Sequence, residues 1–570
     1  MTTAELISEL RSLGVRLRPD GERLRYSAPS GVLTPELLKT LAESKGEILA
    51  FLRSAAAAAE PSALPLLPAP RGGESPLSFA QQRLWFTDQL TPGTSANNVS
   101  AALHLRGSLN AAALRQTLAE IVRRHEVLRT TFPVINERPF QRIEARPALV
   151  LPVVDLGSLP AEIRAAAAKE IARAEAHRPF DLARGPLLRA TLLRLCGREH
   201  VVLLTLHHIV SDAWSLTILL REVATLYESF SRGSASPLVE LPVQYADFAH
   251  WQRRWMSGEV LDKQLRYWKG KLGGELLALE LPTDRPRPAV QSFRGTIKTL
   301  TLPEPLSAAL NELCRRENVT LFMALLAAFK VLLQRYAEQD DILVGTSIAS
   351  RNQLAAENLI GLFVNTLVLR TDLSGDPSFK ELLERVRKVT LESYAHQDLP
   401  FETLVEELQP ERDLSRNPLF QVLFAVHNTP LAPMELPGLS ISPVEIEHRS
   451  SLFDLALMMG EREQRIWCSL EYSTDLFDGA TMERLLGHLR TLLQSIAANP
   501  EQRLSSLEMV SDEERELLTR GWARGERRDF SGPALLHAGA WESARSRPDA
   551  VAVSCAGEHL SYSTLRRLSR

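Results

Sequence analysis

The stretch 201–215 constrains the fold of this chain more than any other part of the sequence. A short apolar run, Val201–Leu206, leads directly into His207 and His208, and an apolar helical pattern begins at Leu216. Such a run is typical of a buried strand, so we predict a strand that ends at the two histidines and turns into a helix. A short loop aimed by rigid elements is a common place for chemistry.

The two histidines cannot share one role, because adjacent residues of a strand point to opposite faces. We expect one ring to face a cavity and the other to pack behind the loop. The pattern fits either a satisfied core cluster or a histidine general base whose loop or neighbouring ring is held by Asp212. A zinc site is disfavoured, since the adjacent rings splay and no Cys-x-x-Cys or His-Glu-x-x-His pattern accompanies them. We therefore expect no metal.

Length and composition bound the class of protein. With about 150 residues per domain as a guide, 570 residues predict several domains. A hydrophobic content of 45% and a charged content of 24% are typical of soluble globular proteins. The net charge of −3 does not favour nucleic acid or an anionic membrane surface as a partner. The absence of a signal peptide, of an apolar run of about 18 residues and of motif spacing among the cysteines predicts a cytoplasmic location.

Residues 1–53 have the pattern of a small separate unit with a helix, a hairpin and further helices. The hairpin is predicted at 15–26, around a turn at 19–22. Alternation along its strands places four arginines on one face: Arg16, Arg18, Arg23 and Arg25. That face is either a solvated surface or a docking surface for an acidic peptide, whose carboxylates the arginines would pair.

The order of elements in residues 1–53 resembles the TubC-type N-terminal docking domains of assembly-line synthetases. The resemblance implies a small α/β adaptor that receives the C-terminal tail of an upstream synthase, with dimerisation through this domain as an alternative to a monomer. Residues 54–75 are rich in Ala, Pro and Gly and are interpreted as a linker that tethers this domain to the next.

From about 76 to 505 the chain alternates predicted strands and helices. The predicted strands are Arg129–Val134, Leu149–Val154, Leu187–Leu195, Ile297–Leu302, Ile342–Ser347 and Phe363–Leu369. The predicted helices are Leu114–Val127, Tyr245–Trp268, Leu306–Arg316, Leu321–Tyr336, Phe379–Ser393 and Ala480–Ala497. Pro152 makes the strand beginning at Leu149 an edge strand at best. Both halves mix helix with strand, which predicts two α/β lobes with a cleft between them.

Seven motifs in this region resemble those of nonribosomal peptide synthetase condensation domains, in the order of that family. The stretch 207–215 matches the active-site motif. The other six are Ser78–Phe86, Arg124–Phe132, Tyr245–Arg253, Ile360–Thr366, His396–Glu402 and Arg412–Phe420. The resemblance implies an α/β (α+β) fold of two lobes like chloramphenicol acetyltransferase, arranged as a V-shaped pseudo-dimer with a central tunnel. The N-lobe is expected at about 76–245 and the C-lobe at about 246–505.

What this resemblance implies is amide formation between two thioesters. The donor is an acyl or peptidyl thioester on an upstream carrier protein, and the acceptor is an aminoacyl thioester on a downstream carrier protein. Their phosphopantetheine arms belong to the carriers, and we expect no cofactor bound by this chain. His208 either accepts the proton of the attacking amine or orients that amine, and the sequence leaves both open. His207 is expected to pack behind the loop.

Further residues are expected to support the site. Asp212 is interpreted as one half of a buried ion pair that holds the loop, in preference to a direct catalytic role, with Arg351 as its first candidate partner and Arg124 as its second. Trp214 and Ser215 flank the site. Ala213 stands where the family usually has glycine, so its methyl could narrow the approach of the acceptor amine or affect the start of the helix. Asn365, after an apolar strand, either lines the channel or is structural.

Residues 506–570 resemble a linker and the truncated start of an adenylation domain, on the stretches 548–553 and 560–565. No Gly-rich phosphate loop is present, so we expect no ATP chemistry. Alternatives to condensation remain: a CoA-dependent acyltransferase, or a recruitment platform whose catalytic site has lapsed. An epimerisation domain would share the histidine pair, but the Asp-Ala-Trp-Ser order and the position ahead of an adenylation start favour condensation.

Overall fold

A computed structural model describes residues 16–20, 23–27, 45–46, 64–70, 74–145, 149–274, 276–411, 413–427, 436, 438–444, 450–525 and 535–570. The chain divides into two compact units, Met1–Leu507 and Glu508–Arg570. The larger unit contains every motif of the condensation-domain type.

The N-terminal hairpin is present as predicted. Strands β1 (Arg16–Asp20) and β2 (Arg23–Ser27) are antiparallel, and their register aligns Arg18 with Arg25. The side chains of the four predicted docking arginines lie outside what the structure describes. So do the helices predicted on either side of the hairpin, apart from Lys45 and Gly46.

The first half of the larger unit is a mixture of strands and helices. Its strands are β3 (Asn98–Gly107), β4 (Thr130–Thr131), β5 (Val134–Ile135), β6 (Arg138–Pro139), β7 (Arg142–Ile143), β8 (Val153–Asp155), β9 (Leu188–Cys196) and β10 (Glu199–His207). Its helices are α1 (Phe79–Leu90), α2 (Ala111–Arg124), α3 (Ala161–His177), α4 (Ala213–Ser231), α5 (Tyr245–Trp255) and α6 (Gly258–Leu272).

The second half of the larger unit has the same mixed character. Its strands are β11 (Gly295–Thr301), β12 (Asp341–Ile348), β13 (Asn365–Asp372), β14 (Val422–His427), β15 (Leu439–Val444), β16 (Leu455–Arg462) and β17 (Arg465–Ser473). Its helices are α7 (Glu304–Arg316), α8 (Leu321–Ala337), α9 (Phe379–Ala395), α10 (Phe401–Leu408) and α11 (Gly479–Ala498).

A five-stranded sheet organises the N-lobe in the order β15-β3-β10-β9-β8. Strand β10 lies in its centre and pairs antiparallel with both neighbours. Val202, Leu204 and Leu206 pack into the main core on one face, whereas Val201 and Leu203 pack into a smaller core with helix α3 on the other. Because both faces of β10 are covered, its sequence is apolar throughout instead of alternating.

Two segments from the second half of the chain complete this N-lobe. Strand β15 pairs antiparallel with β3 and covers that edge of the sheet. Residues 351–363, here called the crossover segment, contribute Ala356, Leu359 and Ile360 to the N-lobe core. The two lobes are therefore interleaved along the sequence.

The C-lobe is built on a six-stranded mixed sheet, in the order β11-β17-β16-β14-β12-β13. Helix α8 is buried along most of its length. Even Lys330 in its middle is buried, and its ammonium donates to the carbonyls of Ile342 and Leu369 and to the Thr371 hydroxyl. The fold class is confirmed: two sheet-based lobes with helix and strand mixed in each.

Three predicted elements differ from the observed ones. The strand predicted at Arg129–Val134 is instead a 3-10 turn followed by two short strands, β4 and β5. The helix predicted at Tyr245–Trp268 breaks between α5 and α6, where Ser257 is extended. The strand predicted from Leu149 is reduced to the three residues of β8, which lies at the sheet edge because Pro152 precedes it.

The smaller unit contains α12 (Asp512–Glu516), α13 (Leu536–Ser546), β18 (Val551–Cys555), β19 (Glu558–Ser561) and α14 (Tyr562–Leu568). Strands β18 and β19 form an antiparallel hairpin. Across the described parts of both units, no single helix is long and apolar enough to cross a membrane. Only α7 and α8 taken together, with a bend of 108°, satisfy that length and composition.

Candidate active site

The predicted strand, loop and helix are present around the histidine pair. Strand β10 ends at His207, a 3-10 turn covers His208–Val210, and α4 begins at Ala213. Asp212 caps α4, because its Oδ1 accepts a hydrogen bond from the Ser215 amide at 2.7 Å. The loop is thus held at both ends by regular structure.

His207 lies behind the loop. Its side chain is buried, with 2% of the residue exposed, and its ring meets Phe180 edge-on. The Nδ1 atom accepts a hydrogen bond from the Ile209 amide at 3.1 Å, so the ring proton resides on Nε2. Burial, and to a smaller extent the charge of His208, lowers the pKa of His207 to about 3. His207 is therefore neutral at cellular pH and orders the turn.

His208 has the opposite environment. It is partly exposed, and its Nδ1 lies 2.6 Å from the Ser211 carbonyl oxygen. A carbonyl oxygen only accepts hydrogen bonds, so Nδ1 carries a proton. In the neutral ring the Nε2 lone pair is then free to accept a proton or a hydrogen bond. The different faces predicted for the two histidines are observed.

Asp212 is completely buried and its carboxylate points into the protein. One oxygen accepts from the Ser215 hydroxyl at 2.7 Å, and the other accepts from the Phe363 amide at 3.0 Å. Arg351 donates to the carboxylate at 3.2 Å. Both oxygens are therefore engaged in holding the loop to the crossover segment.

Arg351, the first of the two predicted partners, forms this ion pair with Asp212. Its other terminal nitrogen donates to the carbonyls of Ala356 and Leu359, both at 2.7 Å, and its guanidinium stacks 3.9 Å from the Phe363 ring centre. Burial lowers the pKa of Arg351, and the charge of Asp212 opposes that shift. The guanidinium thus fixes the shape of the crossover segment as well as the loop.

The second predicted partner, Arg124, is wrong. Its Nε donates instead to Glu222 at 3.0 Å, and the other carboxylate oxygen of Glu222 lies 2.9 Å from Nε2 of His125. His125 Nδ1 accepts from the Ile360 amide at 3.3 Å, which gives a second attachment of the crossover segment to the N-lobe. Burial alone would raise the pKa of Glu222, but hydrogen bonds from His125 and Arg124 lower it.

Glu222 was missed in the sequence. The signal that could have found it is a charged residue within the apolar stripe of α4, beside Ile218, Leu219 and Val223, all of which are buried. A carboxylate in such a stripe requires a buried partner, because an unpaired charge there would be very costly.

Gly361 lets the crossover segment lie flat against α5. A Cβ atom at this position would stand 2.0 Å from the ring of Tyr245, which no side chain can tolerate. The Gly361 amide donates to the Ser215 hydroxyl at 3.0 Å, and Tyr245 donates to the Leu362 carbonyl. Ser215 and Tyr245 therefore both bind the crossover segment.

The remaining predicted residues are peripheral to the histidines. Ala213 is exposed at the first position of α4, and helix geometry is maintained there. Trp214 is 41% exposed and donates from its indole nitrogen to the Glu357 carbonyl. Asn365 donates to the carbonyls of Gln397 and Leu399 and accepts from the Phe401 amide. Its amide is fully engaged in fastening that loop, which is the structural one of its two predicted roles.

Among the described residues, no group of three His, Cys, Asp or Glu side chains could hold a metal ion. The chemistry available at the loop is therefore that of one imidazole with an accepting nitrogen and of the groups that hold it.

Comparison with known proteins places this site in a family. Residues 72–519 match the model of the condensation domain, and residues 4–54 match that of the TubC N-terminal docking domain. One of the linear gramicidin synthase proteins of Brevibacillus parabrevis is 46% identical over 506 residues, which cover 88% of this chain and 6% of that protein. Phosphinothricin tripeptide synthetase PhsC of Streptomyces viridochromogenes is 40% identical over 517 residues, which cover 90% of this chain and 47% of that protein. The chain spans less than half the length of either relative.

Solved structures agree with the sequence match. The X-domain from teicoplanin biosynthesis, in its complex with OxyB, has a TM-score of 0.73 at 32% identity over 79% of this chain and 99% of its own. The four-domain nonribosomal peptide synthetase AB3403 has a TM-score of 0.74 at 25% identity, over 87% of this chain and 38% of its own. The chain thus belongs to the condensation-domain family of nonribosomal peptide synthetases, whose members form peptide bonds, and it carries a TubC-type docking domain at its N-terminus.

Proposed function

We propose that this chain joins a donor acyl or peptidyl thioester to an acceptor aminoacyl thioester, with His208 as the group that acts on the acceptor amine. The observation that carries this assignment is the hydrogen bond between His208 Nδ1 and the Ser211 carbonyl. It holds the ring in the tautomer whose Nε2 can accept, on a loop that Asp212 and Arg351 keep closed.

The reaction requires one proton to move away from the amine and one to reach the leaving group. The neutral amine attacks the donor carbonyl, and Nε2 of His208 accepts a proton from the nitrogen as the new C–N bond forms. The tetrahedral intermediate then expels the phosphopantetheine thiolate of the donor carrier, which takes that proton. General base catalysis of this kind typically contributes about 10²- to 10⁴-fold.

A positioning role for the same atom is the alternative mechanism. Nε2 would then accept a hydrogen bond from the amine and orient it, while both substrates arrive tethered to carriers. Orientation of tethered reactants can by itself contribute several kcal/mol, on the order of 7–11 in favourable cases. In both mechanisms Asp212 supports the loop, because its oxygens are engaged by Ser215, Arg351 and Phe363.

The partners follow from the family and from the docking match. The phosphopantetheine arms are part of the substrates and are supplied by the two carrier proteins, so the chain itself needs no cofactor. Residues 1–53 receive the C-terminal tail of an upstream synthase, with Arg16, Arg18, Arg23 and Arg25 pairing acidic residues of that tail. Dimerisation through this domain, a cytoplasmic location and an adenylation start within 506–570 belong to the same proposal.

Recruitment without catalysis is the second candidate function. It is favoured by the similarity to the X-domain, which was solved in a complex with another protein, OxyB. A CoA-dependent acyltransferase is a third. The accepting tautomer of His208 favours catalysis over recruitment, since a lapsed site has no need for it.

The test is a single-turnover condensation assay. One carrier protein is loaded with a simple acyl group and a second with an amino acid, and intact mass of the acceptor carrier reports amide formation. Wild type should form product, whereas acyl-CoA in place of the donor carrier should not replace it. Product from acyl-CoA at an equal rate would favour the third candidate, and no product from a folded chain with several donors would favour recruitment.

Two substitutions of His208 separate base from positioning group. In His208→Asn the side-chain amide can still donate to the Ser211 carbonyl but nothing reaches the Nε2 position. In His208→Gln an amide oxygen can reach that position and accept a hydrogen bond, but it cannot take a proton. A base predicts losses of at least about tenfold in both variants. A positioning group predicts that His208→Gln retains most of the rate, and equal rates in all three proteins would contradict both roles.

A further inference from the structure

The Pro-rich segment before the condensation domain is attached to it. Residues 64–70, here called the strap, lie against helix α5 although the composition of 54–75 predicts a tether throughout. Leu66 is 7% exposed and belongs to the N-lobe core, whereas the neighbouring Leu67 is 63% exposed. The Ala69 amide donates to Asp247 at 2.7 Å, and the Trp251 indole donates to the Leu64 carbonyl.

The contact partner of the strap is a rigid one. Asp247 is completely buried, and its second oxygen accepts from the Gln244 amide at 2.7 Å in the cap of α5. The same helix binds the crossover segment through Tyr245 and Gly361. The strap is therefore fastened to the element that lies against the segment holding the catalytic loop. It lies before residue 72, where the condensation-domain match begins.

We propose that the strap fixes the point from which the docking domain is suspended, and thereby sets how far a delivered donor can be from the catalytic lobe. This proposal rests on the proposed function, in which the donor arrives through the N-terminal domain. Its consequence is geometric: residues 64–70 act as part of the lobe, and only the residues before Leu64 act as linker.

Chain length gives the size of the effect. Ten residues separate position 54, where the docking match ends, from Leu64, and they can span at most about 35 Å. Without the strap the first attached residue would be Ser75, which pairs with Gln141, and the span would rise to about 70 Å. Effective concentration falls roughly as the −3/2 power of linker length or more steeply, so release of the strap should lower it by about threefold or more.

The variant that releases the strap is the double substitution Leu66→Asp and Ala69→Pro. The first change places a carboxylate in the apolar core, and the second removes the amide that donates to Asp247. Leu67→Asp is the matched control, since it makes the same substitution at an exposed position of the same strap. Hydrogen exchange of a peptide covering 64–70 should show protection in wild type and in the control, and its loss in the double variant.

The functional measurement uses a donor carrier protein joined directly to Met1 and loaded with a simple acyl group, so that no upstream tail is needed. The rate of the joined donor divided by that of the same carrier added free gives its effective concentration. We expect a decrease of about threefold or more in the double variant, no change in the control, and an unchanged rate with free carrier in all three.

Each other result has a defined meaning. An unchanged ratio in the double variant, with exchange protection lost, would overturn the role of the strap while leaving donor delivery intact. A reduced rate with free carrier would show that the strap supports the active lobe instead, and would also overturn the proposal. No advantage of the joined donor in wild type would contradict delivery through the N-terminus, and the role of the strap with it.

Discussion

Asp212 and Arg351 come from opposite halves of the chain and form a buried ion pair, with a carboxylate oxygen 3.2 Å from a guanidinium nitrogen. The pair joins the loop that carries His208 to the crossover segment, and Ser215 and Phe363 add hydrogen bonds to the same carboxylate. The geometry of the catalytic histidine therefore depends on a contact between sequence-distant elements.

Removal of one partner should be costly for stability. Asp212→Ala leaves the Arg351 guanidinium buried without its carboxylate, and we expect a loss of about 3–5 kcal/mol in the free energy of unfolding, with loss of condensation activity. Urea denaturation measures the first and the carrier assay the second. In the double variant with Arg351→Ala the losses should not add, because the buried charge is gone. A single-variant loss below about 1 kcal/mol would contradict the buried pair.

His207 should make the fold sensitive to acid. Its pKa is about 3 in the folded chain and near 6.5 when exposed, so between these values the unfolded chain binds a proton that the folded chain does not. The free energy of unfolding should therefore decrease as the pH falls through 6.5 towards 3, and this residue should account for about 2 kcal/mol of the decrease by pH 5. Urea denaturation at pH 7.5 and pH 5.0 should show a smaller decrease for His207→Gln than for wild type. Equal decreases would show that His207 does not titrate in this way.

Gly361→Ala should destabilise the crossover segment. The new methyl would meet the Tyr245 ring, and overpacking of this kind typically costs about 1–3 kcal/mol. Gly487→Ala is the control, because a Cβ atom there meets nothing within 4 Å in the middle of helix α11. That change should be neutral or stabilising by up to about 1 kcal/mol. Partial rescue of Gly361→Ala by Tyr245→Leu would identify the ring as the cause, and equal stabilities of the two alanine variants would contradict it.

Ala213→Gly tests whether the departure from the family motif impairs the site. Ala213 is exposed at the start of α4 and leaves the cap by Asp212 intact. We expect the condensation rate to be unchanged and the stability to fall by up to about 1 kcal/mol, since glycine is the poorer helix former. A rate increase of about tenfold or more would instead show that the methyl removes about 1.4 kcal/mol of transition-state stabilisation.

The local structure of the site could be read from the sequence. Apolar runs, helical periodicity and capping residues lie within a few positions of one another, so the strand β10, the turn and α4 were predictable, as were the different environments of His207 and His208. The same holds for the main helices and strands of both lobes and for the N-terminal hairpin.

The choice among distant partners was decided by the tertiary structure. Nothing in the sequence distinguishes Arg351 from Arg124 as the partner of Asp212, because the pairing bridges 139 positions and depends on how the crossover segment packs. The pairing of Glu222 with His125 and the attachment of the strap to Asp247 have the same origin. A buried charge states that it needs a partner, but only the packed chain brings one specific group within hydrogen-bonding distance.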